Sequence, residues 1–149
     1  MNLDINEFIL SDLQIGQTEK IDVSVTADVI DQFAKLSGDY SPVHIDGLFA
    51  KERGFADRIA HGMLIGSFIS SLIGNRLPGR YGIIMSMEIE FKKPLIPPDT
   101  IQIEGKVAGI SESVKQVLIK VTVSNGKGVL LATAKVRSIV AENRLDLNT

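Results

Sequence analysis

Asp39 and His44 are the residues whose types and spacing could do acid–base chemistry. They stand five positions apart in the segment SGDYSPVHID. On a continuous helix that offset would turn the side chains roughly 140° away from each other. Gly38 relaxes the backbone and Pro42 biases Ser41 away from helical angles, so the segment reads as a loop that can turn both groups into one pocket. A carboxylate and an imidazole facing the same space can hold a water between them and move its protons. Adding water across a conjugated thioester asks for that, because water is a poor nucleophile at neutral pH and protons must balance at both carbons.

The same reaction builds negative charge on the thioester oxygen. Gly62 is placed to meet it, in the stretch HGMLIGSFISSLIG. At the start of a helix the backbone N–H groups lack intrahelical partners and the dipole is positive, and a glycine permits close approach. Each residue also has a plainer reading: Asp39 as a turn residue bonded to its own backbone, His44 as a packed or solvated histidine, Gly62 as a simple helix-start glycine. Ser70, inside the same helix, is equally a small packing residue bonded back to its own turn. Taken one by one, the residues leave these alternatives open.

The bulk composition narrows the classes. A chain of 149 residues has the size of a single domain, expected to span 1–149, and can bury a real core. With 44% hydrophobic and 23% charged residues it has the balance of a folded globular protein. A formal net charge of −2 supplies no basic footprint for nucleic acid. Residues 1–59 hold 11 acids against 5 Lys and Arg, whereas residues 60–149 hold 7 against 11, so the second part is the better place for a phosphate-bearing ligand. With no cysteine, disulfide and thiolate chemistry drop out, and two histidines leave little room for a metal cluster. The acidic, interrupted N-terminus lacks the pattern of a signal peptide, and the apolar run 62–74 is too short to span a bilayer, so a cytoplasmic protein with no membrane partner is expected.

The elements that must position these residues follow from periodicity. Alternation in KIDVSV predicts a strand over 20–25. Thr26 as N-cap, with Val29, Ile30, Phe33, Ala34 and Leu36 at helical spacing, predicts a helix over about 27–36. A short helical piece over 47–53 and a buried helix, apolar on nearly every side, from Gly62 come next. Four β segments rich in Val, Ile and Thr complete the chain: GIIMSMEIEF, TIQIEGKVAGI, KQVLIKVTVS and GVLLATAKVRSIV, with Asn125-Gly126 as a hairpin signal. ENRLDLNT reads as a frayed tail. The expectation is an α+β architecture in which an antiparallel sheet wraps around one central hydrophobic helix, the order of the hotdog fold. A single sheet of this kind leaves edges exposed, which favours a homodimer or higher homo-oligomer.

The motif residues resemble the signature of the MaoC-like dehydratases, the (R)-specific enoyl-CoA hydratase or hydratase-2 family. The likeness runs from SGDYSPVHID through LFAKERGF and IAHGMLIGSFIS to LPGRYG and EIEFKKPLIPPDT, and covers the remaining strands by pattern. It implies a homodimeric hotdog enzyme that acts on acyl-CoA or acyl-carrier-protein thioesters without cofactor or metal. It places the catalytic pair on Asp39 and His44, the oxyanion amide on Gly62 and the family's active-site serine on Ser70. The implied reaction is syn hydration of a trans-2-enoyl thioester to the (R)-3-hydroxyacyl thioester, or its reverse, with the roles of Asp39 and His44 left undivided. A 3-hydroxyacyl-carrier-protein dehydratase, a hotdog thioesterase and a non-catalytic acyl-thioester-binding protein are the rivals, since fold does not fix function.

Overall fold

A computed structural model describes residues 4–145. A 3-10 turn, Leu10–Asp12, precedes strand β1, Thr18–Val25, and helix α1, Ala27–Ser37. Two short helices, α2 at Pro42–Ile45 and α3 at Gly47–Glu52, lead to the long helix α4, Gly62–Asn75. Strands β2, Gly82–Phe91, β3, Asp99–Ser111, β4, Gln116–Ser124, and β5, Leu130–Val140, follow. All five strands form one antiparallel sheet in the order β1-β3-β4-β5-β2.

Period-two alternation builds the face that receives α4. Ile101, Ile103 and Val107 on β3, Val117, Ile119, Val121 and Val123 on β4, and Leu131, Val136 and Val140 on β5 are all buried. From α4, Leu64, Ile65, Ile69, Leu72 and Ile73 pack into the same core. Gly105 allows this approach, because a Cβ there would lie 3.0 Å from Leu72 Cδ2 and 3.2 Å from Ile119 Cγ2. The expected α+β arrangement, an antiparallel sheet around a central hydrophobic helix, is the observed one.

Local chemistry ends α1 where the motif begins. Thr26 Oγ1 accepts the Val29 N–H at 3.3 Å, and Gly38 closes the helix in the left-handed region at φ 77°. Four details differ from expectation. Residues 42–45 form a helical turn inside the expected loop, with Pro42 at its first position where a missing N–H costs nothing. Helix α4 is not buried all round: Met63, Ser67, Ser70 and Gly74 make an exposed stripe along it. The β4–β5 connection is a five-residue loop with Gly128, not Gly126, in the left-handed region, because Asn125 Oδ1 accepts the N–H groups of Lys127 and Val129. Up to residue 145 the expected frayed tail is held, with Arg144 on Asp12 at 2.6 Å and Glu142 on Lys115 at 2.8 Å; its last four residues lie outside the described residues. Among the described residues, no helix is long and apolar enough to cross a membrane.

Candidate active site

Residues 38–61 carry the candidate chemistry, and a handful of bonds shapes them. Asp39 Oδ1 accepts the Ser41 N–H at 3.1 Å, which fixes the carboxylate and turns the chain into α2. The plainer reading of Asp39 as a turn residue is thus true of one of its oxygens. Asp46 Oδ1 caps α3 by accepting the N–H groups of Leu48 and Phe49 at 2.9 and 3.2 Å. Tyr40 and Ile45 are exposed, and Val43 is half-buried.

His44 is half-buried, and its Nδ1 lies 2.8 Å from the Ile59 carbonyl oxygen. A carbonyl only accepts, so Nδ1 carries the proton and the lone pair sits on Nε2. The Ile59 N–H donates to the Val43 carbonyl at 3.2 Å, so Ile59 holds α2 through both of its backbone groups. An oxygen of the exposed Asp39 carboxylate and one ring nitrogen each of His44 and His61 gather within 4.8 Å of one another. The sequence-predicted pair is therefore brought together.

His61 was missed in the sequence beyond its place in the HGM motif. It is only 2% exposed, its Nε2 lies 2.9 Å from the Asp39 carbonyl oxygen, and its ring stacks on that of His44 with centroids 3.9 Å apart and planes at 26°. The available signal was that one of just two histidines directly precedes Gly62. Asp39, His44 and His61 have the types of a metal triad. One nitrogen of each ring is already held by a backbone carbonyl, which leaves His44 Nε2 and His61 Nδ1 as the ring atoms such a metal would have to use.

Gly62 begins α4, and the His61 side chain makes no cap bond to the helix's first N–H groups. A cleft of about 450 Å³ opens there, lined by His44, Ile59, Gly62, Ile65 and Phe91 and flanked by Lys92 and Lys93. The Phe91 ring lies directly over Gly62: a Cβ on that glycine would come 2.7 Å from Phe91 Cζ. The close approach expected at Gly62 is thus occupied by an aromatic ring that is itself half exposed. Lys92 is tied to Glu90, and this ammonium holds the exposed Glu90 carboxyl below the usual glutamate range. Ser70 stands eight residues along α4 from Gly62, on the exposed stripe and outside the cleft lining.

Residues 12–129 match the family model of the MaoC like domain. The chain belongs to that family. A (R)-specific enoyl-CoA hydratase of Rhodospirillum rubrum is 35% identical over 126 residues, covering 84% of this chain and 88% of the relative. A 3-hydroxybutyryl-CoA dehydratase of Methylorubrum extorquens is 31% identical over 120 residues, covering 80% of this chain and 76% of the relative. The structure of the unliganded (R)-hydratase PhaJ1 of Pseudomonas aeruginosa superposes with a TM-score of 0.88 at 28% identity, over 97% of this chain and 93% of that one. The MaoC-like family comprises hydratases and dehydratases of acyl thioesters, and the architecture of this member is the hotdog fold.

Proposed function

We propose that this MaoC-like protein hydrates trans-2-enoyl-CoA to (R)-3-hydroxyacyl-CoA, and catalyses the reverse dehydration, as a cytoplasmic single-domain homodimer. The observation that carries the reading is the gathering of Asp39 and His44 beside the N-terminus of α4, which has no side-chain cap, and a cleft with apolar walls and two lysines.

In this reading a water sits between the Asp39 carboxylate and His44 Nε2, which both accept its hydrogens. As the water oxygen adds to the β-carbon, Nε2 takes one proton, and the π-electrons of the double bond move onto the thioester oxygen. The N–H of Gly62, backed by the α4 dipole, stabilises that oxyanion. The imidazolium then returns its proton to the α-carbon on the same face, so one water is added and the site is restored. The bond from His44 Nδ1 to Ile59 supports giving the base role to His44 rather than Asp39. Ile59, Ile65 and Phe91 would take the acyl chain, and Lys92 and Lys93 the phosphates of the carrier.

The homodimer is supported by two unpaired surfaces: the stripe Met63, Ser67, Ser70 and Gly74 on α4, and the edge strand β2 with Ile83 and Met85 exposed. Ser70 enters the site in this reading through that face, where a second copy would enclose it with the acyl chain.

The test is incubation with crotonyl-CoA and, separately, with a saturated acyl-CoA. Loss of the enoyl absorbance with formation of (R)-3-hydroxybutyryl-CoA, and no thiol release from the saturated ester, is the expected result. Thiol release without loss of enoyl absorbance would make the protein a thioesterase, and binding without turnover a carrier-binding protein. Turnover of the enoyl-carrier-protein ester alone would move the substrate to the acyl carrier protein.

A further inference from the structure

We propose that His61 is the positioning residue of the site, holding Asp39 and His44 in their working geometry through one hydrogen bond and one ring stack. The inference rests on the acid–base reading of those two residues given above.

Burying an imidazole costs free energy that hydrogen bonds must offset. His61 and Ser138 are the buried polar side chains among the described residues. Only half of the His61 cost is met: Nε2 lies 2.9 Å from the Asp39 carbonyl oxygen, while Nδ1 is buried with no partner. A residue needed purely to fill space beside Phe33, whose ring meets that of His61 edge-on at 4.9 Å, would be better as phenylalanine or leucine. The imidazole therefore supplies something an apolar ring cannot, and that is the Nε2 bond.

The orphaned nitrogen also fixes the tautomer. The Asp39 carbonyl can only accept, so Nε2 carries the proton and Nδ1 the bare lone pair. The other arrangement would set the Nε2 lone pair against the carbonyl oxygen and bury a donor without an acceptor. His44 has the opposite tautomer, with its Nδ1–H on Ile59. The two stacked rings thus reach in different directions, each holding a different backbone carbonyl. One bond spans 22 residues and fixes the backbone at Asp39; the stack fixes the plane in which His44 Nε2 points. Because His61 directly precedes α4, the same residue sets both against the Gly62 amide.

Two substitutions separate the donor from the ring. His61→Phe keeps an aromatic ring and removes both nitrogens; His61→Gln keeps an N–H within reach of the Asp39 carbonyl and loses the stack. With crotonyl-CoA, His61→Phe is expected to lower kcat roughly 10- to 100-fold, the scale of a small misplacement of reacting groups, with KM nearly unchanged and Tm near wild type. His61→Gln is expected to recover part of that loss. Wild-type kcat in His61→Phe, or losses in both variants that merely follow their Tm, would overturn the proposal. Nitrogen NMR of the unmodified protein gives an answer even if a variant does not fold: a neutral Nε2–H tautomer is expected for His61, and an Nδ1–H tautomer there would overturn it. Asp39→Asn is the control. Full turnover in that variant would sink the acid–base reading and this inference together, whereas an inactive Asp39→Asn beside a fully active His61→Phe would sink only this one.

Discussion

The sheet with helix α4 holds its shape by burial, whereas residues 38–61 hold theirs by a few polar bonds between distant positions. Ile103, Ile119, Ile69 and Leu72 are wholly enclosed and repeat a pattern that any of several aliphatic residues could satisfy. Asp39 is exposed, His44 is half-buried, and each is fixed by a bond to a particular backbone group. Stability and the proposed chemistry are thus divided between two regions that meet at the first turn of α4. The division can be broken by experiment, because it says which substitutions should change one property and spare the other.

The largest effect on folding is expected inside the sheet. Leu72→Ala empties a fully buried position against β3, and should cost about 2–5 kcal/mol by denaturant unfolding while leaving turnover per folded molecule near wild type. At the junction, Gly62→Ala would place a methyl group where the Phe91 ring now lies. The half-exposed ring can swing aside, so Tm should change little, while kcat/KM for crotonyl-CoA falls roughly 10- to 100-fold as the proposed oxyanion site is crowded. A large drop in Tm with full activity per folded molecule would erase the division at that point. Smaller still is the change at the cleft mouth, where Lys93→Glu should raise KM severalfold and make it less sensitive to salt, with kcat intact.

The smallest effect belongs to the Glu90–Lys92 pair. Lys92 lowers the Glu90 carboxyl, so whatever stability the pair contributes is present above the unfolded glutamate value and is lost as pH falls through the lower folded value. Glu90 is fully exposed and solvent screens the pair, so Lys92→Met should move the Glu90 titration upward by NMR without a measurable change in Tm.

The same division explains what the sequence disclosed. GIIMSMEIEF coincides with β2 residue for residue, and the other strands lie within two residues of the alternating runs, because period two is written directly into side-chain types. The capping role of Thr26 and the break in the helix at Gly38 were legible for the same local reason. His61 was not. Its partners lie 22 residues back and across a ring stack, and a bond to a backbone carbonyl leaves no mark on the sequence of the residue that accepts it. Nor was the cover that Phe91 forms over Gly62, since a phenylalanine ending an alternating strand looks like any other strand residue. The exposed stripe on α4 escaped because serines and glycine are as compatible with tight packing as with solvent.

One measurement bears most directly on the central claim: initial rates with crotonyl-CoA for Asp39→Asn and His44→Ala beside the unmodified protein, each first shown to be folded by its Tm. Both groups stand in the region held by polar bonds, so Tm should hold while turnover falls by at least about 10²-fold in each, the low end of what a positioned acid or base contributes. Folded variants that still hydrate crotonyl-CoA at near wild-type rates would contradict the account.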